Sequence, residues 1–353
     1  MSPAYDPPVS TAADHADLLL RRRLAAQRLA PATAAADAAE AARAVIGIQA
    51  QDVRAAGLAI RSRVSGVTRA EVDAAPLVRT WTVRGTAHLI AADDLPWIDA
   101  LTGPRNRRRF DALMVKRENL DVARAILEPA IDILAAGPMT RAALIERLEE
   151  RGLPSLGEYS INVLMPWLAS SGRLVGLADG TFVATDPPPP VDEDEALATL
   201  ARRYLAGYGP ASAADLARWS GLPITACRRA LEAAGTLERL GELLALPNIG
   251  PPSPAPAAKL LGAFDTALLG WASREPIVAA AHDRRIGGGG GMIRAVVLID
   301  GRAVATWKLT GSGPRRLLIE PFDRPLPPAA LAALGPELDD VGRFLGLAVE
   351  PAS

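Results

Sequence analysis

The sequence predicts a mainly α fold with β additions: tandem helix-turn-helix units, each closed by a hairpin, then a small C-terminal β-barrel or sheet domain. Three observations predict it. Gly137-Pro138-Met139-Thr140-Arg141-Ala142-Ala143-Leu144 matches Gly209-Pro210-Ala211-Ser212-Ala213-Ala214-Asp215-Leu216, with Thr140 and Ser212 72 residues apart. Each copy follows a helical stretch and precedes a short helix, a turn, a second helix and a pair of strands. Beyond the proline-rich stretch 248–257 the apolar pattern changes from helical to alternating.

The first module, 1–118, offers amphipathic helices at 17–29, 34–48 and 53–64, with Leu18, Leu19, Leu24 and Leu29 as a core stripe. Residues 78–90 are rich in β-branched and aromatic side chains and are broken by Gly85, which predicts a hairpin. The second module, 119–190, has helices at 121–136 and 159–171 and strands at 173–177 and 181–184 around Asp179-Gly180. The third, 191–250, has helices at 193–207 and 224–234 and strands at 237–240 and 242–245 around Gly241. In both repeats Gly-Pro ends one helix and the hydroxyl residue caps the next. Asp215-Leu216-Ala217-Arg218-Trp219-Ser220-Gly221-Leu222 is a short apolar-faced helix stopped by glycine, as the tight turn before a recognition helix requires.

This order is that of the winged helix-turn-helix, whose third helix enters a major groove while the wing reaches flanking backbone or minor groove. Thr68 lies a further 72 residues before Thr140, but no recognition-type helix separates it from the Trp81 hairpin, so that spacing is read as coincidence. Prolines 187–190 and Asp192-Glu193-Asp194-Glu195 form a stiff, solvated connector. The last module, 251–353, has strands at 292–300, 301–309 and 315–321 and a helix near 328–345. Glycines 287–291 lack the spacing and the lysine of a phosphate loop and are read as a flexible inter-strand loop.

At 353 residues and 49% hydrophobic content, the chain exceeds what one core comfortably holds. No run approaches the roughly 20 apolar residues of a membrane span, and the opening segment carries its charges after its apolar residues, unlike a signal peptide. The lone Cys227 has no disulfide partner and three histidines form no ligand cluster, so no metal, no cofactor and a cytoplasmic setting are expected. Formal net charge is −1, which excludes a general polycation, so any DNA surface must be local. Arg21, Arg22 and Arg23 form one basic run; Arg105, Arg107, Arg108, Arg109, Lys116 and Arg117 form a denser one. Each reads equally well as a solvated helix face.

Winged helices more often bind than catalyse, so chemistry needs a further feature. Ile48-Gln49-Ala50-Gln51-Asp52 puts two long amides into an apolar boundary between helices. Two apart on a helix they would diverge by about 200°; in an extended link they point the same way. Asp52 is a good N-cap for the next helix, which allows an extended link that would create a paired-amide site, though the spacing alone favours a plainer reading. The alternative is that one glutamine satisfies open backbone groups at the helix end while the other is merely exposed.

Ile46-Gly47-Ile48-Gln49-Ala50-Gln51-Asp52 together with Thr80-Trp81-Thr82-Val83-Arg84-Gly85-Thr86-Ala87-His88-Leu89 resembles the AlkZ/YcaQ family of winged-helix DNA glycosylases. Tyr208-Gly209-Pro210-Ala211-Ser212, Asp215 to Leu222, Phe264-Asp265-Thr266-Ala267-Leu268-Leu269-Gly270-Trp271, and Asp300-Gly301-Arg302 before Thr306-Trp307 extend the likeness in order. The resemblance implies winged helices around a concave DNA channel with a β-barrel at one end. It also implies a monofunctional, monomeric, nucleoid-associated glycosylase whose partner is duplex DNA carrying alkylated bases. The implied reaction hydrolyses the N-glycosidic bond of alkylated purines, notably N7-alkylguanine, including guanines tied into interstrand crosslinks. Its catalytic motif is Gln-x-Gln in the AlkZ-like branch and Gln-x-Asp in the YcaQ-like branch; Gln49 and Gln51 fit the first.

An N7-alkylated guanine already carries positive charge and leaves readily, so the protein must chiefly position water and stabilise an oxocarbenium-like sugar. Gln51 is expected to hold the water and Gln49 to orient it or contact the lesion, with Asp52 read as a cap before it is read as a base. In the hairpin, Arg84 is expected on phosphate, Gly85 and Thr86 at a close backbone approach, and His88 on the lesion or backbone. Arg105, Arg107, Arg108 and Arg109 complete the expected DNA surface. Trp81 and Trp307 are expected in the core, and Phe264-Asp265 in packing and a turn. A noncatalytic regulator on the same scaffold is the competing reading; a protein-interaction scaffold leaves the paired glutamines unexplained.

Overall fold

The computed structural model describes residues 12–153, 158–247, 252–311 and 315–350. The chain begins with α1 (Ala12–Ala26), α2 (Ala38–Ala44), the short strand β1 (Ile48–Gln49) and α3 (Val53–Arg61). Helix α2 stops earlier than the apolar pattern suggests. Ile46 and Gly47 both take left-handed backbone, with φ of 55° and 98°. A Cβ on Gly47 would sit 2.5 Å from the Ile90 side chain, so only glycine lets the chain turn out of the helix this close to the sheet.

Helix α4 (Arg69–Ala74) follows, capped by Thr68 in a reciprocal box with Glu71. It runs directly into β2 (Leu77–Trp81) and β3 (Ala87–Ala91), so Thr68 is a true cap but not the start of a third copy of the repeat. Next comes α5 (Leu95–Lys116), which the sequence pattern does not reveal. Its inward row is Ile98, Thr102, Asn106, Phe110 and Met114, at helical spacing and all buried, but two of the five are polar.

The repeat appears as expected. The second unit is α6 (Leu120–Leu134), α7 (Arg141–Glu150), α8 (Glu158–Ala169), β4 (Leu174–Gly176) and β5 (Phe182–Ala184). The third is α9 (Glu193–Tyr208), α10 (Ala213–Ser220), α11 (Ile224–Ala233), β6 (Glu238–Leu240) and β7 (Leu243–Ala245). Thr140 and Ser212 each accept from the backbone three residues on, and Gly221 ends α10 in left-handed backbone. The second wing does not stand alone: Arg79 of β2 pairs with Gly176 of β4, giving one sheet ordered β1-β3-β2-β4-β5. The third wing remains a separate two-stranded ribbon.

The C-terminal region adds β8 (Ala258–Leu261), α12 (Asp283–Ile286), β9 (Val296–Ile299), β10 (Arg302–Thr310), β11 (Arg315–Pro321), α13 (Pro328–Leu345) and β12 (Val349–Glu350). Its sheet runs β12-β11-β10-β9-β8, antiparallel except between β11 and β12, with a bulge between Ala303 and Ala305. The alternating pattern locates the middle three strands; β8 and β12 are four and two residues long and fall below its reach. The fold is thus mainly α with β, as tandem winged helices and a terminal β domain.

Two apolar clusters hold these parts. One packs α5, α6, α7 and α8 through residues such as Phe110, Met114, Ile126 and Leu168. The larger runs from α1 through the third unit into the C-terminal sheet. Within it, Arg23 belongs to no solvated face: it is buried over Trp271 and donates to the carbonyls of Pro210 and Glu275. Trp307 is buried and donates to Leu261, as a core residue does. Among the described residues no helix is long and apolar enough to cross a membrane.

Candidate active site

Strand β1 sits at the edge of the first sheet, with Ile48 opposite Leu89 and Gln49 opposite His88. The pairing continues one residue further, since the Ala50 amide donates to the Ala87 carbonyl at 2.8 Å. The link is therefore extended, Ile48 and Ala50 turn into the core, and the two glutamines share the other side. The Gln49 amide nitrogen donates to the Gln51 Oε1 at 2.7 Å. Gln49 is buried and Gln51 is exposed.

Asp52 ends the link. Its Oδ1 accepts from the amides of Arg54 and Ala55, at 2.8 and 3.1 Å, and so caps α3. Asp52 and Arg54 open onto a cavity of about 570 Å³ that reaches Arg294, Trp307 and Lys308 of the C-terminal domain.

The other side of the pair is built by the β2–β3 turn. Arg84 takes left-handed backbone, with φ 57° and ψ 8°, and Gly85 follows at φ 66°. The Arg84 guanidinium donates to Gln49 Oε1 at 3.2 Å and, through its other terminal nitrogen, to the Trp219 carbonyl at the end of α10. The turn is clamped from α5: Asn106 donates to the carbonyls of Trp81 and Thr82 at 2.8 and 2.9 Å, and Arg109 to that of Arg84 at 2.6 Å. Arg84 and Arg218 line a second cavity of about 500 Å³ with Trp271 and Arg274.

This geometry changes several expectations. Arg84, expected on phosphate, directs both terminal nitrogens inward. Over Gly85 lies a guanidinium rather than open space for DNA, since a Cβ there would come within 2.5 Å of Arg109 Nη1. The Thr86 hydroxyl donates to Val83 within the turn. Arg105 donates to the Gly221 carbonyl, and Arg107 to the Ser170 carbonyl at 3.3 Å with Asp99 at 3.4 Å. Three arginines of the basic run thus tie α5 to the third unit, the second unit and the hairpin. Arg108 is exposed and has no internal hydrogen bond among the described residues. Asn106, Trp219 and Arg218 are the contributors that sequence reasoning missed. The i, i+4 row of α5 is the signal that would have exposed Asn106.

His88 is buried and its Nδ1 donates to the Thr86 carbonyl at 2.9 Å, in the neutral tautomer that this acceptor demands. Paired opposite Gln49, it lies on the same face of the sheet as the glutamine pair, beneath Arg84. Burial, and then the Arg84 charge, push its imidazole down to about 3. An unfolded histidine titrates near about 6.5, so below that pH the unfolded chain binds a proton that the fold refuses. The stability this neutral ring contributes is complete above that value and falls as pH drops toward the folded value, by about 1.4 kcal/mol per unit. Urea denaturation at pH 7 and 5 should therefore show wild type losing about 2 kcal/mol more than His88→Gln. Equal losses in the two proteins would exclude this account.

The sequence profile of the AlkZ-like DNA glycosylase family matches residues 42–344. A relative from Streptomyces sahachiroi, the interstrand DNA cross-link repair glycosylase, is 26% identical over 313 residues, covering 78% of this chain and 82% of that protein. The solved structure of Streptomyces sahachiroi DNA glycosylase AlkZ aligns with a TM-score of 0.71 at 23% identity, over 95% of this chain and 99% of that one, and so shows the same fold. Because the profile runs from before the glutamine pair almost to the end of α13, the chain belongs to the AlkZ-like DNA glycosylase family.

Proposed function

We propose that this glycosylase hydrolyses the N-glycosidic bond of N7-alkylguanine in duplex DNA, including guanines held in interstrand crosslinks, with Gln49 and Gln51 as the catalytic pair. The observation that carries the reading is the amide pair itself, set on one side of an extended link by pairing with β3. The crosslink part draws support from the name of the Streptomyces sahachiroi relative.

A glutamine cannot deprotonate water as a carboxylate does, but its carbonyl oxygen has two lone pairs. Gln51 Oε1 uses one on Gln49 and keeps one for a water proton. As the bond from the sugar to N9 breaks, the cationic base leaves neutral without a strong acid, and once the water oxygen has bonded to the sugar its surplus proton passes to solvent, so fixing the water's direction is the contribution left for the protein to make. Asp52 has an oxygen committed to the α3 cap, which favours a structural role over that of base. Phosphate contacts fall to Arg108, with the exposed Arg105 and Arg109 supplying donors that their single carbonyl contacts leave over.

The test is incubation with duplexes carrying a small N7-alkylguanine, a bulky one, or an N7-linked crosslink, read as abasic sites. Release from all three is expected, without added metal or cofactor. Lesions left intact by folded protein that binds the same duplexes in a salt-dependent way would favour a noncatalytic regulator.

A further inference from the structure

We propose that Arg84 is a positioning residue that fixes which way both amides of the glutamine pair face, and is not a phosphate contact. The inference rests on the catalytic reading of Gln49 and Gln51. The oxygen and NH2 ends of an amide are nearly alike in size, so two facing glutamines can bond in either of two senses. Gln49 donates to Gln51 in one and accepts from it in the other.

The two senses are not equivalent for a hydrolase. With the observed one, an oxygen of Gln51 stands beside Gln49, and a water there donates its proton to that oxygen while its own lone pair stays free for attack. In the reversed sense an NH2 stands there instead. Water would then accept a hydrogen bond, committing the lone pair that the attack on the sugar needs.

Nothing within the pair selects the sense, but Arg84 does. A guanidinium has donors only, so Gln49 must turn its oxygen to Arg84, and its NH2 must then face Gln51. The guanidinium is itself held by the Trp219 carbonyl, and its turn by Asn106 and Arg109. The backbone adds a second argument. Arg84 occupies left-handed space that a glycine would take without strain. An arginine there is explained by what its side chain holds.

The experiment compares Arg84→Met, Arg84→Lys and Arg84→Gly with wild type on an N7-alkylguanine duplex, with Arg108→Met as the phosphate control. Arg84→Gly suits the turn's backbone and guards against a variant that simply fails to fold. The saturated single-turnover rate should fall about tenfold to a hundredfold in all three, with DNA affinity and its salt dependence unchanged. Lysine should not rescue, because a single ammonium cannot reproduce the planar fork between two acceptors. Arg108→Met should instead lose chiefly affinity, with a shallower salt slope.

Arg84 behaving like Arg108, or Arg84→Lys working as well as wild type, would overturn the proposal. Side-chain amide NMR of Gln49 and Gln51 gives a readout independent of turnover. In Arg84→Met the Gln49 NH2 signals should move toward solvent-exposed values and those of Gln51 toward hydrogen-bonded values, whereas unchanged signals would overturn the proposal. Were wild type to release no base while those signals still moved, the glycosylase reading would fail and the positioning of the amides would stand.

Discussion

Gln51→Ala is expected to lower the single-turnover rate of base release by about a hundredfold or more, with affinity for the same duplex within about threefold of wild type. The side chain is exposed and its internal contact is with Gln49, so its removal does not open the core. Two carboxylate variants sharpen the expectation. In Gln51→Glu the new oxygens still accept from Gln49 and still accept from water, so much of the rate should remain. In Gln49→Glu the position keeps an acceptor for Arg84 but loses the donor for Gln51, and Gln51 must turn its NH2 inward to avoid facing oxygens. That variant should fall nearly as far as Gln51→Ala. The same chemical change at positions two apart is thus expected to give opposite results. Equal rates for the two glutamate variants would count against a directional pair.

The glutamine pair was legible in the sequence because its cause is local. Asp52 announces a helix start, and a start at residue 53 forbids helix at 49–51. The winged units were legible for a similar reason: Gly-Pro and a hydroxyl cap mark helix ends within a few residues. What surrounds the pair was not. Arg84 reaches Trp219 across 135 positions, and Arg105 reaches Gly221 across 116. A basic run that ties helices together and one that grips phosphate have the same composition, so the sequence did not show that Arg105, Arg107 and Arg109 also hold carbonyls of the protein itself. Helix α5 itself was hidden because Thr102 and Asn106 occupy inward positions where the pattern expects apolar residues. The hairpin was found, but the burial of His88 and its bond to the Thr86 carbonyl were not, since both depend on what packs over the strand.

The interior holds a second expected effect of comparable size. Asp265→Ala should cost about 3–5 kcal/mol of folding stability, a large part of the roughly 5–15 kcal/mol a domain has in reserve. Arg63 and Asp265 have fully buried side chains and meet through two bonds of 2.9 and 2.8 Å. Arg63 also donates to the Ala59 carbonyl and to Gln27 and Thr266, while Asp265 accepts from the Ala267 amide. Alanine at 265 leaves a guanidinium in the core with neutral acceptors alone, and that uncompensated charge is the cost. Asp340, which pairs with Arg61, is 28% exposed, so water takes over when it is removed and Asp340→Ala should cost about 1 kcal/mol or less. Arg63→Met with Asp265→Leu should recover most of the loss, since Thr266 and Gln27 remain bonded to each other at 2.8 Å. Urea midpoints of the four proteins decide this; a double variant no better than Asp265→Ala would mean that the ion pair stabilises beyond its own desolvation. The consequence reaches the active site. Arg63 lies just past α3, the helix that Asp52 caps at its other end, so losing this pair removes one of the ties between α3 and the C-terminal domain and leaves Arg61, bonded to Leu260, Glu337 and Asp340, to hold the helix that carries the link to Gln51.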